Sequence, residues 1–267
     1  MIAEKFDTFL LDLDGVVYVG DSLLPGALDS LKRLRGRGKA VRFLTNDPRP
    51  ERGEVASRLN SLGIDACPGE IITCGWACAQ YLRKKKKMSA YVLGTGGLCR
   101  EIEAAGITVT EDESAEAVVV GFDENITYSR IRHAVGLIRK GSDFIATNRD
   151  LTFPTPEGPA PAAGAFVAAV QASSGKRPVV IGKPFPGMFR AALKGLDPSK
   201  AVMIGDSPLT DIAGARRAGI ASVLVSPAAG ADKGGDTGSY GRNRPDFVIP
   251  SLSGLFDRKL CQGEMEG

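Results

Sequence analysis

Histidine is almost missing from this chain: His133 is the only one among 267 residues. A Ser-His-Asp triad needs a histidine to carry the proton, and histidine-built zinc sites need more than one, so both are excluded. His133 falls in a helical pattern beside Arg130 and Arg132, where a surface or half-buried place is expected. Cysteine is scarce as well. Cys67, Cys74, Cys78, Cys99 and Cys261 are odd in number and form no CxxC pair. That excludes a thiolate metal site and points to free thiols in a reducing, cytoplasmic setting. Cys74 and Cys78 sit four apart and should pack on one helix face. The lone Trp76 is expected in the core.

An excess of one charge is also lacking. The chain has 34 basic and 31 acidic residues, a net charge of +3, and so no footprint for nucleic acid. No apolar run approaches the roughly 20 residues of a membrane span. Glu4, Asp7, Asp12 and Asp14 interrupt the first apolar stretch, unlike a signal peptide. Two nucleotide fingerprints are incomplete. Gly94-x-Gly96 follows a strand pattern, but Cys99 stands where the third glycine belongs, so these glycines should make a tight strand–helix turn. Gly182-Lys183 is followed by Pro184 instead of a hydroxyl residue, and Arg177 stands where a P-loop would begin.

What is present is an alternation of short apolar runs with amphipathic stretches. TFLLDL, AVRFLT, PVVIG, AVMIGD and IASVLVS read as strands, with GALDSLKRLRGRG, ERGEVASRLNSLGI, GMFRAALKGL and DIAGARRAG as helices between them. IITCGWACAQYLRKKKK reads as a further helix. Apolar strands alternating with helices predict a doubly wound parallel α/β sheet covered on both faces. A second alternation, from AYVLG to AGAFVAAVQASSG, predicts a smaller α/β domain inserted at 84–177, entered through the solvated run Lys84–Lys87. The core would then be 1–83 and 178–267. The glycine-rich stretch after Ser226 is expected to be a mobile loop.

Ligand sites in open parallel sheets gather at the carboxyl ends of strands. Asp12 and Asp14 end the first strand, Thr45-Asn46 the second, Gly182-Lys183-Pro184 another, and Gly205-Asp206 another, with Asp211 at the next helix start. Asp12 and Asp14, if both extended, would lie side by side about 6.5 Å apart, from a rise near 3.3 Å per residue. Such a pair is either a solvated strand end or a site that needs a cation or a shared proton. The wider set favours phosphoryl transfer. Carboxylates bind Mg²⁺, Lys183 adds positive charge, Thr45 donates a hydroxyl, and a carboxylate can serve as nucleophile.

In sequence order, DLDGVVY, FLTND, GKP and GDSPLTDI resemble the four motifs of the haloacid dehalogenase superfamily. DGVVYVGDSLLPGA and FIATNRDLTFPTPEG resemble its NagD/4-nitrophenylphosphatase branch, in which a large α/β cap is inserted between the second and third motifs. The resemblance covers nearly the whole chain. It implies a Mg²⁺-dependent phosphomonoesterase working through an aspartyl-phosphate, with the cap choosing the leaving group. By the same resemblance Asp12 is the nucleophile and Asp14 the acid, then base. Thr45 and Asn46 contact phosphate, and Lys183 steadies the phosphoryl charge. Asp12, Asp206, Asp211 and the main-chain carbonyl of Asp14 surround the metal, Asp211 alternatively orienting Lys183. Asn148, Arg149 and Asp150 are candidate cap contacts to the small phosphorylated substrate, or a structural turn. The resemblance also implies a possible homodimer through the cap. Two departures stand out. Asp47-Pro48 replaces a more usual Asn-Ser and reads as a helix cap and first-turn pair, and Pro161-Ala162-Ala163-Gly164 replaces Pro-Gly-x-Gly. A phosphotransferase or mutase on the same fold, and a catalytically silent phosphate sensor, are the rival readings.

Overall fold

The structure is a computed structural model in which residues 1–155, 157–227, 241 and 243–258 are described. Most of the glycine-rich stretch after Ser226, and Cys261, fall outside them.

Packing divides the chain into two units. The first comprises Met1–Thr45, Ala56–Ile71 and the chain from Phe189 onward; the second comprises Asn46–Val55 and Ile72–Met188.

The main sheet has six strands in the order Phe247–Ile249, Ala221–Val225, Ala201–Gly205, Thr8–Asp12, Ala40–Thr45 and Ile71–Thr73. The registered pairs are parallel. Phe9, Leu10 and Leu11 are fully buried, as expected of a strand with helices on both faces; burying one such side chain fully is worth roughly 1.5–3 kcal/mol. From Thr8–Asp12 the chain winds first toward Ala40–Thr45, then returns on the other side to Ala201–Gly205. The order therefore reverses between Thr8–Asp12 and Ala201–Gly205, the switch point where doubly wound sheets leave a crevice beyond the strand ends. Leu11 pairs with Ile204, so Asp12 sits level with Gly205 at that switch point.

The second unit holds a five-stranded sheet, Val179–Val180, Asp143–Ala146, Ala117–Val120, Ser89–Leu93 and Thr108–Val109 in spatial order, its pairs parallel. Helices Tyr128–Lys140 and Ala163–Ser174 bury Leu137, Ile138, Val167 and Val170 against Tyr91, Val118 and Phe144. An antiparallel hairpin, Thr152–Thr155 with Gly158–Pro161, stands apart from that sheet. The glycine turn after Leu93 leads into helix Gly96–Glu103 as expected, and Gly97 packs on the main chain of Arg49 and Pro50, where no side chain would fit.

Three local expectations differ. Ile71–Thr73, read as helix, is a strand, because Ile-Ile-Thr is β-branched throughout; the Thr73 hydroxyl then accepts the Trp76 N–H and caps helix Cys74–Lys84. Val179–Val180, read as a core strand, is instead an edge strand of the second sheet. Asp47 caps no helix. Its carboxylate accepts the Arg49 N–H at 3.0 Å and grips the Arg49 guanidinium at 2.8 Å, while the helix starts only at Arg52. Pro50 explains the delay, since a residue before proline is pushed out of the helical region. Trp76 is half-buried under the Arg52 guanidinium, 4.9 Å from the ring centre. His133 is half-buried as expected, edge-on to Tyr91 at 4.8 Å.

Candidate active site

In the first unit the site begins with the end of strand Thr8–Asp12. The chain turns at once: the Leu13 carbonyl accepts the N–H groups of Val16, Val17 and Tyr18, and Gly15 donates to the Tyr18 carbonyl. Gly15 has φ +77°, a region glycine enters without strain. The turn separates the two aspartates that the sequence sets one residue apart. Asp12 stays half-buried and accepts the Leu13 N–H at 2.8 Å, whereas Asp14 is exposed beyond the strand.

Asp206 follows strand Ala201–Gly205, and Asp211 lies in the π-helical turn Pro208–Ile212. Such widened turns recur at functional sites. Asp211 is fully buried. Its carboxylate accepts the Ser207 N–H at 3.2 Å and the Thr210 hydroxyl at 3.5 Å, and its N–H donates to the Ser207 carbonyl. Gly205 makes room for it, since a side chain there would overlap Asp211. One carboxylate oxygen from each of Asp12, Asp206 and Asp211 lies within 4.8 Å of the others. Three carboxylates that close call for a cation or a shared proton. The side-chain donors are all carboxylate oxygens, which suits a hard ion such as Mg²⁺ and not zinc. A cavity of about 720 Å³ opens beside the cluster, with Gly15 and Asp206 in its wall and Leu24, Leu224 and Leu252 making much of it apolar. That volume is in the range of small-molecule sites. Thr45, also in this unit, ends its strand almost fully buried.

In the second unit, Asn46 is a hub. Its amide nitrogen donates to the Lys183 carbonyl at 3.0 Å and to Asp150 Oδ2 at 2.9 Å, and its amide oxygen accepts the Lys183 N–H at 2.8 Å. Its main-chain carbonyl accepts the Asn148 amide at 2.6 Å and the Cys74 thiol at 3.0 Å. The Asn148 oxygen in turn accepts the Asp150 N–H at 3.0 Å. Lys183 is 2% exposed. Of the three candidate cap contacts, Asn148 is buried in this network, Asp150 is half-buried and joined to it, and Arg149 is exposed.

Ser207 and Thr210, which hold Asp211, were not singled out from sequence; the spacing of a hydroxyl four residues before the aspartate was the available signal. Gly182 belongs to the GKP motif and is also a packing requirement. A side chain there would meet the Thr147 carbonyl at 2.6 Å and Asn46 Oδ1 at 2.7 Å.

Residues 9–108 match the haloacid dehalogenase-like hydrolase family, and 180–255 match the HAD-hydrolase-like family. An acid sugar phosphatase of Staphylococcus saprophyticus is 36% identical over 78% of this chain and 82% of that protein. A 4-nitrophenylphosphatase from Thermotoga maritima superposes with a TM-score of 0.86 at 34% identity, covering 96% of this chain and 98% of that one. A glycerol phosphate phosphatase from Mycobacterium tuberculosis, solved with magnesium, superposes with a TM-score of 0.86 at 31% identity, covering 95% and 77%.

Proposed function

Because the chain belongs to the haloacid dehalogenase-like hydrolases, in the branch of the NagD-type and 4-nitrophenyl phosphatases, we propose that it hydrolyses small phosphomonoesters through an aspartyl-phosphate on Asp12. The observation that carries this reading is the carboxylate cluster of Asp12, Asp206 and Asp211 at the sheet's switch point.

An Asp12 oxygen attacks phosphorus, forming the Asp12–phosphoryl bond as the bond to the leaving oxygen breaks. Asp14, protonated at that moment, gives its proton to the leaving oxygen. It then takes a proton from water, whose oxygen attacks the same phosphorus and frees Asp12 and inorganic phosphate. Exposure suits Asp14 to this exchange, because the water it deprotonates must reach it from solvent. Half-burial suits Asp12, whose main-chain tether to Leu13 holds its carboxylate in one orientation. Thr45 contributes its hydroxyl to the phosphoryl oxygens, and the resemblance of GKP to the third motif assigns them the Lys183 ammonium as well. Mg²⁺ would be held by Asp12, Asp206, Asp211 and the Asp14 carbonyl, and would neutralise charge among the carboxylates and the phosphate. The four described cysteines are free thiols, which fits a reducing, cytoplasmic setting. No helix among the described residues is long and apolar enough to cross a membrane.

The test is phosphate release from a panel holding 4-nitrophenyl phosphate, glycerol phosphate and several sugar phosphates, with Mg²⁺ present. Turnover of at least one at enzymatic rates is expected, and silence across the panel would leave a phosphate sensor as the better reading.

A further inference from the structure

Asn46 and Asp150 stand where phosphate and leaving-group contacts are expected, yet the bonds they make point elsewhere. The Asn46 amide is already committed. One of its hydrogens goes to the Lys183 carbonyl, the other to Asp150, and its oxygen takes the Lys183 N–H. An amide nitrogen has two hydrogens to give, so both are used within the protein. The pair of hydrogen bonds to the Lys183 main chain copies a strand-to-strand ladder and holds that residue at both its N–H and its C=O. Asp150 closes the arrangement by accepting the second hydrogen, which fixes the flip of the amide: with oxygen and nitrogen exchanged, oxygen would face carboxylate. Asp150 is itself held. Its N–H donates to Asn148 Oδ1, its carbonyl accepts the Gly164 N–H at 2.8 Å, and a side chain at 164 would press to 2.7 Å from that carbonyl. Gly182 lets the chains approach, and its N–H donates to the Thr147 carbonyl at 2.7 Å.

We propose that Asn46 and Asp150 are positioning residues that set the placement of Lys183, Asp150 acting through Asn46, and that neither binds the leaving group. This rests on the phosphatase reading above and assigns the residues a different task within it. A shift of the Lys183 main chain carries its buried ammonium with it. A displacement of about 1 Å in a catalytic group can cost 100-fold in rate.

The test compares Asp150→Ala, Asn46→Asp and the double variant Asn46→Asp/Asp150→Asn with two substrates of unlike leaving group, 4-nitrophenyl phosphate and glycerol phosphate. A misplaced lysine weakens transition-state charge stabilisation whatever the leaving group. Asp150→Ala should therefore lower kcat by the same factor, about tenfold, on both substrates with KM within twofold, a fraction of the loss expected when a catalytic group is displaced outright. Asn46→Asp sets carboxylate against carboxylate and should lose about 100-fold. The double variant restores a donor–acceptor pair between positions 46 and 150 and should recover most of a tenfold of that loss. Unequal factors for the two substrates, or a KM rise on one alone, would mean that Asp150 touches the leaving group and would overturn the proposal; so would a double variant no better than Asn46→Asp. Hydrogen exchange at the Lys183 amide gives a readout independent of turnover. It should quicken in Asn46→Ala while amides of strand Thr8–Asp12 keep their protection. Unchanged exchange would overturn the network, whereas quickened exchange in an enzyme inactive on every phosphomonoester would overturn the phosphatase reading alone.

Discussion

Gly15 lies so close to Asp206 that a methyl group at position 15 would overlap its carboxylate. The turn after the first strand and the end of the strand beside it are thus built against each other, and glycine is required twice, for contact and for its φ of +77°.

Gly15→Ala should therefore push Asp206 away and also strain the backbone, at about 1–2 kcal/mol for an L-residue in the left-handed region. We expect a lower melting temperature together with weaker Mg²⁺ binding by titration calorimetry. Wild-type Mg²⁺ affinity in this variant would show that Asp206 holds no metal.

The carboxylate cluster predicts metal dependence directly. Hydrolysis of 4-nitrophenyl phosphate should vanish in EDTA and return with Mg²⁺. Mg²⁺ should also raise the melting temperature by binding the folded chain alone, and Asp206→Asn should lose that rise. Full activity after exhaustive chelation would remove the metal from the reaction.

Lys183 is almost wholly buried, and a buried ammonium is kept beside opposite charge. Lys183→Met keeps the stem and deletes the charge. It should lower kcat by roughly 10²–10³, as the loss of one preorganised donor does. Near-wild-type kcat would mean that the ammonium never meets the phosphoryl group.

The thiols should divide by burial. Cys67 is exposed, while Cys74 and Cys78 are buried. Burial is the main cause that pushes both buried thiols up, and at Cys74 the nearby Cys78 and Asp47 add to it. A raised thiol keeps its proton, so little nucleophilic thiolate forms. Alkylation at pH 8 followed by peptide mapping should mark Cys67 and spare Cys74 and Cys78 until the protein unfolds. The sign for stability follows. These groups bind protons more tightly when folded, so their contribution is intact below the unfolded thiol value of about 8.5 and declines as pH rises above it. Labelling of Cys78 in the native protein would contradict its burial.

Asp12 and Asp206 could be nominated from sequence because each closes an apolar strand run, and Asp211 because it stands at the helix start that follows; strand order then brings neighbouring ends together. Asp211 was named but not its supports, because a π-helical turn has no sequence period. Ile71–Thr73 was misread because a three-residue strand running straight into a helix shows no alternation. The sheet to which Val179–Val180 belongs is a long-range matter that two residues cannot encode. The Asn46 network was the least legible. Its partners Asp150 and Lys183 lie 104 and 137 residues along the chain, and no spacing rule reaches that far.

The turn after Asp12 makes the two opening aspartates unequal, one half-buried and tethered, the other exposed, and they should fail differently. Asp12→Asn removes the nucleophile, so no phosphoenzyme can form. Asp14→Asn keeps the nucleophile and loses the proton donor and the later base. General acid–base assistance is worth about 10²–10⁴ in rate, but the two half-reactions need it unequally. A leaving group as good as 4-nitrophenolate departs with little protonation, whereas the water of the second step must always be deprotonated. Asp14→Asn given 4-nitrophenyl phosphate should thus release a burst of one 4-nitrophenolate per active site and then stall with Asp12 phosphorylated. Mass spectrometry of rapidly acid-quenched protein should find one added phosphoryl group on the peptide that contains residue 12, and none in Asp12→Asn. A label on another peptide, or both variants turning over like wild type, would reduce the pair to a strand end with two solvated charges.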